Sequence, residues 1–354
     1  MPEILPRINR IGSATPDQDI HQACIGWAEK QFSDSRQAGI FKRMASRSGI
    51  AHRYSVLPTG TNGGSPVCDS GFYAEDVLPS TAERMQLYAH HAPELALKAI
   101  SQLGPLGEVT HLIVASCTGF VAPGIDQILA GRLGLASSVE RLLIGFMGCY
   151  AAITALRSAR HIVRSDPHAR VLIVSVELST LHLQPDQAIE PLLAQLQFGD
   201  GAAAAIVTSS GPGLSITTPF AETLPTSSEL IRWTVGDQGF AMHLSGEVPG
   251  RIAEGLKSGR FQKHLTGDKP LASIDAWAVH AGGRSILDAV EHGLGLSPDA
   301  LSVSREVLKK FGNMSSATLM FALAGFFQRQ PENGIALAFG PGLAAEGFRF
   351  CWTE

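Results

Sequence analysis

Short runs of branched apolar residues alternate with helix-like segments along most of this 354-residue chain. Three of these runs are HLIVAS (111–116), RLLIGF (141–146) and RVLIVSVE (170–177), in which apolar residues follow one another instead of alternating with polar ones. A strand of this kind is apolar on both faces and needs a layer of helices on each. The pattern therefore predicts an α/β protein with layered helices and sheets.

The second half of the chain repeats the pattern. AWAVHA (276–281) and GIALAFG (334–340) are predicted strands, with helix-like sequences between them. A turn-rich segment, SSGPG, separates the two halves, and we expect one unit over residues 1–213 and a second over residues 214–354. Charged residues make up only 17% of the chain, against about 25% in a typical soluble protein. This low charge predicts a large core and additional surface buried in an oligomer.

One long helix has a clear start signal. Ser80 and Glu83 have the spacing of a capping box, which predicts a helix from there to about Leu103. Pro93 lies inside the segment and predicts a kink or a break. Residues 17–31 are a second predicted helix, because apolar side chains recur on one side of it.

Charge and cysteine content argue against several classes of function. The net charge is −4, whereas nucleic-acid-binding proteins are normally strongly basic. The five cysteines include no CxxC pair, so neither a metal site nor a disulfide framework is expected. Gly, Pro, Ser and Thr interrupt the apolar runs before they reach the about 20 residues of a membrane span. The first 30 residues lack the apolar core of a signal peptide, and we expect a cytoplasmic protein.

Cys149 is the candidate nucleophile. The predicted strand 141–146 ends just before it, Gly148 allows a tight turn, and a long helix begins at or just after the cysteine. A thiol at a helix start lies beside unpaired N–H groups and the positive end of the helix dipole, which favour the thiolate. Buried cysteines without a chemical role are common. The cysteines interpreted in that way are Cys24, Cys68 and Cys351.

Two further residues complete a set that can perform acyl transfer. His280 ends a predicted strand and precedes two glycines, which allow a ligand to approach closely. A histidine there can act as a base or as a donor to an oxyanion. Asn313 lies between two predicted helices, where asparagine is also common as a cap. Singly these residues indicate little, but Cys, His and Asn together can transfer an acyl group through a thioester.

The sequence around these residues resembles the type III polyketide synthases, the chalcone synthase family. GCYAA surrounds Cys149, WAVHAGGRSILD surrounds His280 and FGNMSSAT surrounds Asn313. The related synthase III enzymes usually have HQAN where this chain has HAGGR. Further motifs that match the family in order are FKRM (41–44), ASCTGFVAPG (115–124), LQFGDGAAA (196–204), EVPG (247–250) and FGPG (339–342).

The resemblance implies a thiolase-like fold, with duplicated, five-layered αβαβα subunits that form a homodimer. It implies that Cys149 holds a starter acyl group taken from an acyl-CoA, and that malonyl-CoA is decarboxylated at the same site. His280 and Asn313 would stabilise the resulting enolate through hydrogen bonds to its oxygen. The chain would grow by two carbons per cycle and then cyclise. No cofactor beyond the CoA thioesters and no acyl carrier protein is expected.

The resemblance also identifies residues around the reaction cavity. Phe198 matches a gatekeeper phenylalanine beside the cysteine, whereas Met242 stands where the family has a second one. Cys117 replaces a threonine of the cavity wall, and Ala122 stands where a methionine reaches into the partner subunit's cavity. The remaining residues expected to line the cavity are Ser179, His182, Trp233, Gly340 and Pro341.

Two arginines match the family's CoA-binding positions. Arg43 and Arg47 are four residues apart in a predicted helix over 37–47, a spacing that places both on one helix face. A third basic position of the family falls on Ile40, next to Lys42. Arginines on an exposed face that bind nothing are also common.

Several alternatives remain open at this stage. The nearest is a β-ketoacyl synthase III-like enzyme that performs one condensation, and a different class is a cysteine hydrolase with the same three residues. A third is a catalytically silent binding or dimerisation subunit. Small or flexible residues at Cys117, Ala122 and Met242 favour an aliphatic starter and alkylpyrone or alkylresorcinol products, whereas bulky Trp233 argues against a long tunnel.

Overall fold

A computed structural model describes residues 4–74, 78–267 and 269–354. Its strands are β1 (Arg7–Ala14), β2 (Gln18–Asp19), β3 (Tyr54–Ser55), β4 (His111–Ser116), β5 (Glu140–Gly145), β6 (Val171–Leu178), β7 (Asp200–Thr208), β8 (Gly213–Ser215), β9 (Thr217–Thr223), β10 (Ile231–Gly236), β11 (Gly239–Leu244), β12 (Ala276–Val279), β13 (Gly334–Gly340), β14 (Ala344–Phe350) and β15 (Trp352–Thr353). Its helices are α1 (His21–Glu29), α2 (Ser35–Ala45), α3 (Thr81–Ser101), α4 (Ile125–Arg132), α5 (Ala151–Ser165), α6 (Ile189–Gln195), α7 (Val248–Lys257), α8 (Gly259–Thr266), α9 (Arg284–Leu294), α10 (Ser302–Phe311) and α11 (Ala317–Ala324).

The first sheet has seven strands in the order β15-β8-β1-β7-β6-β4-β5. β4 pairs in parallel with β5 and β6, whereas the other pairs are antiparallel. Every residue of β6 and β7 is buried, as expected for strands covered on both faces. β8 and β15 both join this sheet, so segments from after residue 212 complete it.

Two central helices separate this sheet from a second one. α5 packs against β4 and β6 on one side and β14 on the other, and α11 contacts β1 and β7 as well as β12 and β13. The second sheet has the order β12-β13-β14-β9. α3 covers the outer face of the first sheet, and α7, α8 and α9 belong to the apolar core on the far side of the second. The predicted thiolase-like, five-layered αβαβα fold is therefore confirmed.

The sequence-based expectations differ from the structure at several elements. The capping box of Ser80 and Glu83 is present, but α3 continues through Pro93 without a break. β1, in the interior of the first sheet, and the β10–β11 hairpin were not predicted. β5 is an edge strand with exposed Leu142 and Leu143, not a strand covered on both faces. None of the described helices is both long enough and apolar enough to span a bilayer.

Candidate active site

Cys149 lies in a single 3₁₀ turn, Gly148–Tyr150, between β5 and α5. Gly148 has a φ of 70°, a backbone conformation that favours glycine. A Cβ at Gly148 would also lie 2.4 Å from Cδ of Pro341. The turn therefore needs glycine for two reasons, and it sets the half-buried thiol of Cys149 at the head of the central helix.

The expected preference for the thiolate is not what the structure shows. α5 begins at Ala151, two residues after Cys149. Burial raises the pKa of the Cys149 thiol to about 12, and the negative charge of Glu177 acts in the same direction. Hydrogen bonds from the side chains of Ser315 and Asn313 lower that pKa only in part. At neutral pH the thiol is therefore protonated and needs a nearby base.

His280 follows β12 directly and is held by its backbone, because its N–H donates to the carbonyl oxygen of Leu337 over 2.8 Å. The residue is 1% exposed, and neither ring nitrogen has a hydrogen-bond partner among the described residues. Burial lowers the pKa of His280 to about 3, so the ring is neutral at neutral pH. A buried imidazole with two free nitrogens can accept one proton and donate another to a bound ligand.

Asn313 is fixed on all sides. Its Nδ2 donates to the carbonyl oxygen of Gly282 over 3.2 Å, and its Oδ1 accepts from the N–H of Ser315 over 2.8 Å. Its own backbone pairs with Gln197 and Gly199 at 2.8 and 3.0 Å. The amide therefore keeps one orientation, beside the glycine pair that follows His280.

The three predicted catalytic residues line one cavity of about 40 Å³, which we call the thiol cavity. Cys149, His280 and Asn313 come from three separate elements of the two halves, and their side chains meet there with Phe339 and Gly340. A thiol, a neutral imidazole and an oriented amide therefore lie together in one mostly apolar space.

Three more cavities continue from the thiol cavity. A mouth cavity of about 380 Å³ shares Leu244, Val248 and Ile286 with it. On the other side, a central cavity of about 30 Å³ shares Cys149 and Ile231 with it. A distal cavity of about 160 Å³ includes Gln184 and Pro185, and it follows the central one. The four cavities form a series that passes the thiol.

The two predicted gatekeepers, Phe198 and Met242, each line the thiol, central and distal cavities. They therefore lie where these three cavities meet. Arg53 holds the backbone of Phe198, because its Nη1 donates to the Phe198 carbonyl oxygen over 2.6 Å. Arg53 is fully buried, and its Nε donates to Nδ1 of His21 over 3.0 Å. Sequence reasoning missed this arginine, for which the sequence offers no distinguishing signal.

A hydrogen-bonded group behind the thiol was also missed. Ser315 Oγ lies 3.1 Å from Sγ of Cys117 and 3.8 Å from Sγ of Cys149. Glu177, fully buried, accepts from the Cys117 N–H over 3.0 Å, from Thr118 Oγ1 over 2.9 Å and from Ser316 Oγ. A single acid within an apolar strand was the available signal for Glu177, and the motif FGNMSSAT already contained both serines.

The predicted wall residues occupy the central and distal cavities. Ser179 lines both, is 6% exposed and has no partner for its hydroxyl among the described residues. His182 is fully bonded: Nε2 donates to the Thr118 carbonyl oxygen over 2.7 Å, and Nδ1 accepts from the Phe240 N–H over 3.1 Å. Trp233 also lines both cavities.

Gly340 and Pro341 pack around the thiol turn. A Cβ at Gly340 would lie 2.6 Å from the Tyr150 ring, so glycine permits the approach of β13. Pro341 lines the central cavity. Ala122 is exposed and lines none of the four cavities within one chain.

The two predicted CoA-binding arginines are both exposed. Arg43 is on α2, but Arg47 lies past the end of that helix, so the two do not share a helix face as expected. Met44, between them, lines the mouth cavity. Lys42 forms an ion pair with Glu29 at 3.2 Å.

Metal ligands do not cluster in the part of the chain that the structure describes, where no three His, Cys, Asp or Glu side chains come together as a site.

Comparison with known proteins assigns both halves of the chain to one family. Residues 6–212 match the family model for the N-terminal domain of chalcone and stilbene synthases, and residues 215–351 match the model for the C-terminal domain. The chain is 33% identical to the "Alpha-pyrone synthesis polyketide synthase-like Pks18" proteins of Mycobacterium tuberculosis and Mycobacterium bovis, over 99% of this chain and 92% of each relative.

Two solved structures are similar over nearly their whole length. PKS-I from the brown alga Ectocarpus siliculosus is 30% identical, with a TM-score of 0.90 and full coverage of both chains. The C-terminal type III polyketide synthase domain of Steely1 from Dictyostelium is 26% identical, with a TM-score of 0.88 and coverage of 98% of this chain and 99% of that one. The chain belongs to the chalcone and stilbene synthase family and is a type III polyketide synthase, a condensing acyltransferase.

Proposed function

We propose that this enzyme extends an acyl-CoA starter with malonyl-CoA at the thiol cavity. The observation that carries the proposal is His280, a buried imidazole with two unpartnered nitrogens in the same cavity as Cys149 and Asn313. A buried polar group without a partner is costly in the free protein. A bound thioester carbonyl would give it one.

Each of the three residues then has a role. Neutral His280 takes the proton of the Cys149 thiol as the thiolate attacks the starter thioester, and the ring passes that proton to the departing CoA sulfur, which returns His280 to its neutral form. Malonyl-CoA then binds, and loss of CO₂ leaves an enolate whose oxygen accepts hydrogen bonds from His280 and from Asn313 Nδ2. The enolate carbon attacks the acyl group on Cys149, which frees the thiolate and leaves the chain two carbons longer on CoA.

The CoA part of both substrates enters through the mouth cavity in this proposal. Arg43 and Arg47 flank Met44 at that cavity and bind the phosphates. The reaction as written needs CoA thioesters but no redox cofactor, metal or acyl carrier protein. Such substrates are met in the cytoplasm, where we place the enzyme.

We further propose alkylpyrones or alkylresorcinols from an aliphatic starter as the products. The mycobacterial relatives are named for α-pyrone synthesis. The central cavity is almost entirely apolar, and each buried CH₂ of a starter contributes about 0.8 kcal/mol. Met242 is flexible and can adapt to such a chain.

A homodimer completes the proposal. Leu142 and Leu143 on edge strand β5 and the neighbouring pair Phe120 and Phe146 are between 41% and 54% exposed. An exposed apolar patch beside an open sheet edge is typical of a protein interface. Ala122, two residues from Phe120, would then face the partner's cavity.

Within each subunit we retain a division into residues 1–213 and 214–354.

Product analysis tests the function. Incubation with malonyl-CoA and acyl-CoA starters of six to sixteen carbons, followed by mass spectrometry, should give cyclised triketides or tetraketides. Release of a single β-keto extension would favour a synthase III-like enzyme. Hydrolysis of the starter without incorporation of malonyl carbon would favour a cysteine hydrolase.

A further inference from the structure

Arg284 is an exposed cation that the chain fold brings to the mouth cavity from the second half of the protein. It is the first residue of α9, and the next two residues, Ser285 and Ile286, line that cavity. Its Nη1 donates to the carbonyl oxygen of Arg47 over 3.1 Å. Its Cβ lies 3.8 Å from the position that a Cβ on Gly49 would take. The guanidinium therefore lies against the turn that carries Arg47.

Arg284 shares its acidic neighbour with a second arginine. Asp288 lies 3.5 Å from Arg284 Nε, but it makes a closer ion pair, at 2.8 Å, with Arg305. Arg305 in turn also holds Glu291 at 2.7 Å. The four residues together are neutral, and Arg43 and Arg47 add two positive charges for which no ion pair is found among the described residues. One acid, Glu190, lines the mouth cavity itself. Even with this acid included, Arg43 and Arg47 leave a net positive charge around the cavity.

We propose that Arg284 is a third phosphate-binding residue for the CoA part of the substrates, acting together with Arg43 and Arg47. This inference rests on the proposed use of CoA thioesters. The guanidinium is exposed, keeps donors free beyond its bonds to Arg47 and Asp288, and can bind a phosphate through a pair of parallel hydrogen bonds. The positive end of α9 begins at the same residue and favours the same anion. CoA would thus be held by both halves of the subunit.

The test compares two thioesters of one acyl chain, octanoyl-CoA and octanoyl-N-acetylcysteamine, of which only the first has phosphates. R284A should raise KM for octanoyl-CoA by roughly three- to tenfold, the effect of a charge-assisted contact partly screened by solvent. KM for the phosphate-free thioester and kcat should not change. R284K should recover only part of the affinity, because lysine keeps the positive charge but cannot form the pair of parallel hydrogen bonds. R164A, at the opposite end of α5 from Cys149, is the matched control and should behave as wild type.

Calorimetric titration with free CoA gives the same comparison without turnover. An equal rise of KM for both thioesters, or unchanged affinity for CoA, would show that Arg284 has no phosphate-binding role. The variants R43A and R47A separate the two proposals. If they weaken CoA binding and R284A does not, only the inference on Arg284 is wrong. If none of the three does, the mouth cavity is not the CoA site.

Discussion

Trp233 donates a hydrogen bond from Nε1 to the carbonyl oxygen of Cys117 over 3.0 Å. The indole is also packed edge-on against His182 and Phe240, with ring centroids 5.8 and 6.0 Å away. These contacts fix it in the wall shared by the central and distal cavities. A side chain held in this way limits how far a starter or a growing chain can pass beyond the thiol.

Replacing Trp233 should therefore change the choice of starter. In W233A the two cavities join, so more of a long acyl chain can be buried. The ratio of kcat/KM for dodecanoyl-CoA to kcat/KM for hexanoyl-CoA should rise by roughly tenfold, which is the effect of burying two further CH₂ groups. W233F keeps an aromatic ring and loses only the donor, so its shift should be smaller. An unchanged ratio in W233A would mean that the acyl chain does not pass this residue.

The nucleophile is tested by a second substitution. C149A should abolish incorporation of the starter and chain elongation, because no other thiol lines the thiol cavity among the described residues. Decarboxylation of malonyl-CoA should persist at a low rate through His280 and Asn313. C117S is the control, since it keeps a small polar group next to Ser315. Peptide mapping after reaction with a labelled acyl-CoA should find the label on Cys149, and label on Cys117 alone would contradict the assignment.

Ser315 should affect how reactive that thiol is. Its hydroxyl lies 3.8 Å from Cys149 Sγ and lowers the pKa of the thiol against the effect of burial. S315A should therefore slow alkylation of Cys149 by iodoacetamide at pH 7.5 by several-fold, measured as loss of activity. S101A, on an exposed hydroxyl at the end of α3, should leave the rate unchanged. Equal or faster alkylation in S315A would show that the hydroxyl does not assist the thiolate.

The sequence predicted the layered fold and the three residues that meet in the thiol cavity. This was possible because strands buried on both faces have a distinctive pattern, and because Cys149, His280 and Asn313 each lie in a long motif. β1 was missed because its sequence, RINRIGSA, contains two arginines and reads as polar, although it lies inside the first sheet. Its burial depends on strands that are about 200 residues away in the chain.

The environment of the site was less predictable than its members. A helix start was expected to lower the pKa of the Cys149 thiol, but this effect depends on where α5 begins. Burial raises the same pKa by more than the nearby hydrogen bonds lower it. Arg53 and Glu177 are fully buried charges whose partners come from distant segments. A single sequence gives no direct information about such long-range contacts. The helix predicted over 37–47 covers Ser35–Ala45 in the structure.

His182, in the wall of the distal cavity, makes the stability of the fold depend on pH. Both ring nitrogens are bonded, and the ring stacks on Phe240 at 4.1 Å. Burial lowers the pKa of His182 to about 3, whereas an unfolded histidine titrates near 6.5. Between these two values the unfolded chain binds a proton that the folded chain does not. The free energy of unfolding must therefore fall as the pH falls from 6.5 towards 3.

Replacing His182 should remove its share of that pH dependence. Each pH unit in this window corresponds to about 1.4 kcal/mol for one fully shifted histidine. H182Q can still donate to the Thr118 carbonyl oxygen, and its free energy of unfolding should fall less steeply than that of the wild type by about that amount per unit. Urea unfolding at pH 6.5, 5.5 and 4.5 measures the slopes, with H168Q as an exposed control that keeps the wild-type slope. Equal slopes for H182Q and the wild type would contradict this prediction. They would show that His182 binds a proton in the folded protein as readily as in the unfolded chain, despite its hydrogen bonds to Thr118 and Phe240.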